Sequence, residues 1–479
     1  MIPVLLILIP LLSGFITFFL KNERTVKSWA LLSSIATLIV SLFSLGMLQG
    51  NSELTYDTQW LPLLGSRFTV SLDGMGKMIT LLTAISFPVI FAATYKNTYN
   101  KAGSFYALML LSQAGLMGVF CAADLLLFYF FWELALIPVY FLSSIWGGER
   151  RIPVTFKFFI YTFVGSLFML LGIIYVYYQT PGHSLAMSQV YHLTFSDGRQ
   201  NYLFWLFFIA FAIKMPIFPF HTWQPDTYEQ APTAVTMVLS AIMVKMGVFA
   251  VIRWLLPMFP DASHTMSHLI ILLAVIGMLY ASLIAIKQDD MKRLIAYSSI
   301  AHIGLMGAAM FTSDASTMQG VMFQMFAHGI NVLGLWITAD VIEKQTGTRK
   351  FSELGGLAQK SPTLAILFVT MALANIALPL TNAFIGEFLM FSGLFKYNVW
   401  LAAIALISII LAAVYTLWMV QKIFYGDAKD SNLPVVILPN GTRLMLMILV
   451  VVILFFGVFP QPMINLTTDT VTKLIAQIK

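Results

Sequence analysis

Apolar runs of roughly twenty residues, parted by short polar turns, recur along almost the whole chain. A helix crossing a bilayer needs about 20 predominantly apolar residues. Fourteen segments meet that length, near 2–20, 28–48, 75–95, 105–122, 124–146, 156–178, 202–224, 232–256, 267–287, 292–311, 315–340, 361–396, 399–421 and 442–460. Two of them are predicted to be broken. From Ala212 the chain reads AIKMPIFPFHTWQPDTYEQAPT, with Pro216 and Pro219 inside the run, and from Ala374 it reads ANIALPLTNAFIGEFLMFSGLF, split by Pro379. Proline inside a helix removes a backbone hydrogen bond and clashes with the preceding turn. At membrane depth such a break survives only where protein or a water-filled cavity satisfies the freed groups. Interrupted helices in two halves of a chain point to a repeat-built transporter.

Composition agrees with an all-α polytopic membrane protein: of 479 residues, 59% are hydrophobic and only 10% are charged, against about 25% charged in soluble domains. The net charge of +6 comes from basic residues scattered singly through short loops, which is no nucleic-acid patch. Of the 27 basic residues, 18 fall in one set of loops (Arg150, Lys292, Arg349 and Lys429 among them), 7 in the other (Lys479 included), and Lys214 and Lys245 lie inside spans. The richer side is expected to face the cytoplasm, which puts both termini outside. The single cysteine, Cys121, excludes an internal disulfide and a cysteine-ligated cluster. No phosphate-cradling glycine loop follows a strand-like run, so neither cofactor nor metal is expected in this chain. The first twenty residues lack a basic start and a cleavage site, and are expected to remain as a span.

Four ionisable residues lie deep in apolar runs: Glu133, Lys214, Lys245 and Glu387. A charge at bilayer depth costs at least about 2.5–3.5 kcal/mol on insertion scales. Such residues serve either as static pairs locking helices together or as a proton relay. Burial moves lysine and glutamate toward neutrality from opposite sides, which suits a relay. His221, His302 and His328 can extend one, because neutral imidazole both gives and takes a proton. The same histidines also allow a third reading, haem ligation. Asp124 and Asp340, at span ends, and Asp226 and Glu229, in a polar turn, are expected to be solvated, as is the connector KQDDMKR (Lys287 to Arg293).

The stretches FWELALIP, KMPIFPFHTWQPDTYEQAPT, VLSAIMVKMG, KQDDMKRLIAYSSIAHIG and FQMFAHG resemble the antiporter-like membrane subunits of proton-pumping NADH:quinone oxidoreductase, respiratory complex I. The resemblance spans roughly Leu110 to Phe424. It implies fourteen transmembrane helices: three N-terminal ones in 1–104, two inverted five-helix repeats in 105–256 and 257–424, and a last helix and short tail in 425–479. It also implies a proton relay through Glu133, Lys214, Lys245 and Glu387, linked by His221, His302 and His328. The implied partners are the lipid bilayer, protons and the other membrane subunits of the complex, in a bacterial cytoplasmic membrane, with redox chemistry elsewhere in that complex. A cation/proton antiporter subunit of the Mrp type, or the antiporter-like subunit of a membrane-bound hydrogenase, is the alternative of the same fold. Sister subunits look lysine-bearing where this chain has Glu387. The tail is too short for the long lateral helix of the terminal subunit. The family usually shows glycine after the proline of the twelfth helix, where this chain has Leu380.

Overall fold

A computed structural model describes residues 1–48, 50–425 and 434–478. Lys429 and Lys479, counted in the charge asymmetry, lie outside the described residues. The chain opens with helices α1 (Ile2–Thr17) and α2 (Glu23–Leu45), a hairpin of β1 (Thr55–Leu61) and β2 (Ser66–Ser71), then α3 (Gly74–Ala93), α4 (Ala102–Cys121), α5 (Leu125–Trp146) and α6 (Arg151–Gln179). The first broken segment follows as α7 (Asp197–Lys214) and α8 (Gln224–Gln230). Next come α9 (Thr233–Met258), α10 (Pro260–Ile286), α11 (Met291–Thr312) and α12 (Ala315–Thr346). The second broken segment is α13 (Pro362–Asn375) and α14 (Asn382–Tyr397). After it stand α15 (Val399–Tyr425), α16 (Asn440–Val458) and α17 (Gln461–Ile478).

Eleven described helices are long and apolar enough to cross a membrane, while α1 and α13 are apolar but shorter. Length and composition alone therefore stop short of fourteen. To reach that number, α1 and the two broken segments must each count as a span.

Many helix starts are set by one residue. Asp73, Asp124, Asp290, Asp314 and Asn398 each accept hydrogen bonds from amides of the first turn of the helix that follows. Those amides have no partner inside the helix, so a side-chain oxygen there both satisfies a donor and sets the boundary. Asp124 is thus fully buried, taking bonds from Ser66 Oγ (2.7 Å) and the Leu127 amide (3.0 Å). Asp340 is also buried and holds Lys344 at 2.6 Å. Both are buried, contrary to the sequence reading, because polar partners hold each inside the fold.

The centre of the fold is α9 and α12, buried over the whole of their apolar stretch. Around them α2, α6, α15 and α16 bury well under half of theirs and turn side chains such as Phe43, Ile410 and Trp400 outward. In a bilayer that apolar exterior faces lipid, where only self-satisfied helices persist. Two elements escape the sequence pattern. The β1–β2 hairpin, paired antiparallel from Thr55 with Ser71, is too short to stand out beside the long apolar runs. Helix α17 lies along α3 and α12, and Thr470 Oγ1 accepts from the Gly74 amide at 3.0 Å.

Candidate functional site: a buried row of lysine, histidine and glutamate

Lys245 stands between two π-helical turns of α9, Leu239–Met243 and Val251–Leu255. Such turns shift the backbone hydrogen-bond ladder and are frequent at functional sites. The Lys245 ammonium donates to the Ser240 carbonyl, inside the first π turn, at 2.7 Å, and its Nζ lies 2.7 Å from His328 Nδ1 on α12. The His328 ring is 5.5 Å, centroid to centroid, from that of His302 on α11. His302 Nδ1 is 3.0 Å from Glu387 Oε1 on α14, and Gln324 Nε2 donates to the same oxygen at 3.2 Å. A side chain at Gly386 would meet Gln324 Oε1 at 2.6 Å, so α12 and α14 approach here only because that residue is glycine. Lys245, His328, His302 and Glu387 are all buried. A buried charge is tolerable only when paired and hydrogen-bonded; each of the four has a hydrogen-bond contact in the row, and the one opposite-charge pairing it offers is His302 with Glu387.

At the first break the chain supplies its own partners. The Ile217 amide reaches the Ala212 carbonyl at 3.0 Å, and the Trp223 indole donates to the Ile213 carbonyl at 3.0 Å. Lys214 ends α7, buried, with no hydrogen-bond partner for Nζ among the described residues and the Trp132 ring centroid 5.5 Å away, a cation–π distance. Glu133 and Lys214 are therefore not hydrogen-bonded to each other. Glu133 is only partly buried and lines an outward hollow of ≈ 430 Å³ with Trp60, Phe130 and Ile137. His221 is buried between Phe218 and Tyr280. Among the described residues no hydrogen bond or ring contact joins it to the row. Of the seven residues singled out by sequence, the structure brings together Lys245, His328, His302 and Glu387 and leaves Glu133, Lys214 and His221 outside that contact chain.

At the second break, Asn331 Nδ2 donates to the Ala374 carbonyl (3.2 Å), Asn375 Nδ2 to Ser298 Oγ (3.1 Å), and Tyr415 OH lies 3.1 Å from the same serine. Ala377 and Leu380 both adopt positive φ, 55° and 72°. Leu380 thus occupies the left-handed region although it is not glycine, at a cost of about 1–2 kcal/mol. Its carbonyl rests on α16, where a side chain at Gly457 would meet it at 2.1 Å.

The polar turn and the charged connector, both read from sequence as solvated, form a mesh of ion pairs instead. Glu229, whose side chain is 10% exposed, pairs with Arg150 (3.4 Å), Arg293 (2.8 Å) and Arg349 (2.9 Å). Asp226 pairs with Lys157 (3.0 Å) and Arg293 (3.1 Å). Burial raises the Asp226 carboxyl, but hydrogen bonds from Lys157 and Arg293 outweigh it and hold the group below its ordinary value. Lys292 meets Glu343 at 2.5 Å, and Arg349 also bonds Asp290. The mesh borders a cavity of ≈ 520 Å³. All its basic members come from the loops that sequence assigned to one membrane face.

Sequence reasoning missed Gln324, Tyr228 and Ser240. For Gln324 a signal existed: a polar residue four before His328 on an apolar helix shares its face. Nothing in the sequence marks Ser240, whose role depends on the π turn.

The family model described as NADH:quinone oxidoreductase/Mrp antiporter, transmembrane, matches residues 122–412. NADH-quinone oxidoreductase subunit M of Rhodobacter capsulatus is 34% identical over 468 residues, covering 95% of this chain and 91% of that protein. F(420)H(2) dehydrogenase subunit M of Methanosarcina mazei is 34% identical over 499 residues, covering 99% of each chain. Among solved structures, a chain of respiratory complex I from Thermus thermophilus with bound NADH superposes with a TM-score of 0.91 at 28% identity, covering 99% of this chain and 100% of that one. The matched region contains both breaks and all four members of the buried row. This chain is a multi-pass membrane protein and belongs to the NADH:quinone oxidoreductase/Mrp antiporter transmembrane family.

Proposed function

We propose that this chain is a proton-translocating membrane subunit of an NADH:quinone oxidoreductase, driven by quinone reduction in other subunits and itself free of redox chemistry. It would sit in a bacterial cytoplasmic membrane with both termini on the outer side. The observation that carries this reading is the buried row from Lys245 through His328 and His302 to Glu387. The relatives' names support the type of complex.

The row works by charge exclusion. Two unit charges about 4 Å apart at an effective dielectric of about 20 repel by roughly 4 kcal/mol, so the Lys245–His328 pair holds one positive charge at a time. A proton delivered to Lys245 therefore displaces one onto His328. From there it crosses to His302, over a ring gap that one water would bridge, and His302 passes its Nδ1 proton to Glu387. Lys214 and Glu133 supply the switch in this reading. A contact between them would hold a proton on Lys214, and opening it would remove roughly 4 kcal/mol of the stabilisation that keeps the proton there, more than the about 2.3 kcal/mol that moving one charge against 100 mV takes.

The test is proton uptake per quinone reduced by the complex in vesicles. With Glu387→Gln, which keeps shape and polarity but cannot ionise, the complex should assemble while translocation falls. Normal translocation would remove Glu387 from the path. Transport that requires sodium would move the chain to the antiporter reading.

A further inference from the structure

The row needs a supply of protons, and neither Lys245 nor His328 touches the charged cavity. Three helices measure the distance between them. On α12, Asp340 and Glu343 line the cavity, Trp336 lies one turn deeper, and His328 lies about 12 Å below Trp336. On α9 and α11, Thr233 and Lys292 line the cavity, and Ser240 and Ser299 each lie seven residues on, about 10 Å deeper. These serine hydroxyls face each other at 3.5 Å, and the Ser240 carbonyl takes the Lys245 hydrogen bond.

Tyr228 and Gln224 fill the interval. They lie one turn apart on α8, just past the first break, and both are fully buried. The Tyr228 ring is held edge-on against Trp336 (6.0 Å) and Trp223 (6.5 Å). Its hydroxyl sits beside Ser240 and Gln224, yet among the described residues neither that hydroxyl nor either polar atom of the Gln224 amide meets a partner at full hydrogen-bond geometry. Leaving such a group unsatisfied costs about 1–3 kcal/mol. A phenylalanine would fill the same aromatic box without that cost, so packing alone does not account for the hydroxyl.

We propose that Tyr228, aided by Gln224 and the Ser240–Ser299 pair, is the link through which protons from the charged cavity reach Lys245. This rests on the transport reading above. The hydroxyl accepts a proton from water on the cavity side as its own proton passes to Ser240 Oγ, whose proton passes in turn to the neutral Lys245 amine. One proton moves, no electron does, and the phenol ends as it began.

The experiment compares Tyr228→Phe, Ser240→Ala and Lys245→Met in the whole complex in vesicles, with assembly followed on native gels. Tyr228→Phe should assemble, lose threefold or more in proton uptake, and show a larger rate ratio between H₂O and D₂O, because uptake becomes limiting. Ser240→Ala should move both readouts the same way. Parental rates in both variants, with Lys245→Met inactive, would overturn the link alone. A slower Tyr228→Phe with an unchanged isotope ratio would mark a packing defect and also overturn it. Normal transport by Lys245→Met would instead overturn the reading on which the link rests.

Discussion

Lys245 Nζ lies 2.7 Å from His328 Nδ1, although 83 residues separate the two in sequence. The ammonium's other bond is to the Ser240 carbonyl, so among the described residues His328 is the one partner through which Lys245 can hand a proton onward toward Glu387. His328→Leu should let the complex assemble while proton translocation falls by about 10²-fold or more, the usual worth of a positioned proton-transfer group. The check is proton uptake in vesicles set against quinone reduction. A parental rate would show that protons leave Lys245 by another route.

Leu380 holds φ 72° where a glycine would be at ease. Leu380→Gly should relieve about 1 kcal/mol of backbone strain, partly offset by the greater freedom glycine has when unfolded. The Leu380 side chain is 66% exposed, so little packing is lost. Gly457→Ala should act oppositely, pushing α16 off the Leu380 carbonyl. Thermal unfolding in detergent reads both, and a destabilised Leu380→Gly would contradict the strain argument.

Asp226 contributes a pH-dependent part of the stability. Its folded carboxyl lies below the ordinary value because hydrogen bonds from Lys157 and Arg293 outweigh burial. A depressed carboxylate stabilises the fold fully above its unfolded value, about 3.9, and that contribution is lost as pH falls through the folded value. Asp226→Asn should flatten this acid limb and cost about 1 kcal/mol at neutral pH, since the side chain is still 30% exposed and screened. Melting temperatures from pH 7 downward in detergent test both statements.

The charge asymmetry predicts that the loops around Arg150 and Arg349 face the cytoplasm and that the 179–201 loop faces outside. After replacement of Cys121, single cysteines in each loop can be probed on intact cells with an impermeant thiol reagent. Labelling confined to the 179–201 loop is expected. Labelling beside Arg150 or Arg349 alone would invert the topology.

The sequence by itself determined the membrane class, most of the spans, both breaks and the burial of Lys214, Lys245 and Glu387. One physical cause makes all of these visible: hydrocarbon accepts neither unpaired charge nor unsatisfied backbone, so Lys245 or Pro379 inside an apolar run stands out without any partner in view. Partnership is another matter. His302 meets Glu387 across 85 residues, and Glu229 gathers arginines 64 to 120 residues away, which turned a supposed solvated turn into an ion-paired mesh. Lys214 and Glu133, equally conspicuous in sequence, are not bonded to each other. Only the tertiary structure decided these matters, because a side chain a few ångströms long meets another only when helix packing sets their rotation and depth. Those depend on close approaches such as Gly386 on Gln324 and on the π turn beneath Lys245, neither of which an apolar pattern records.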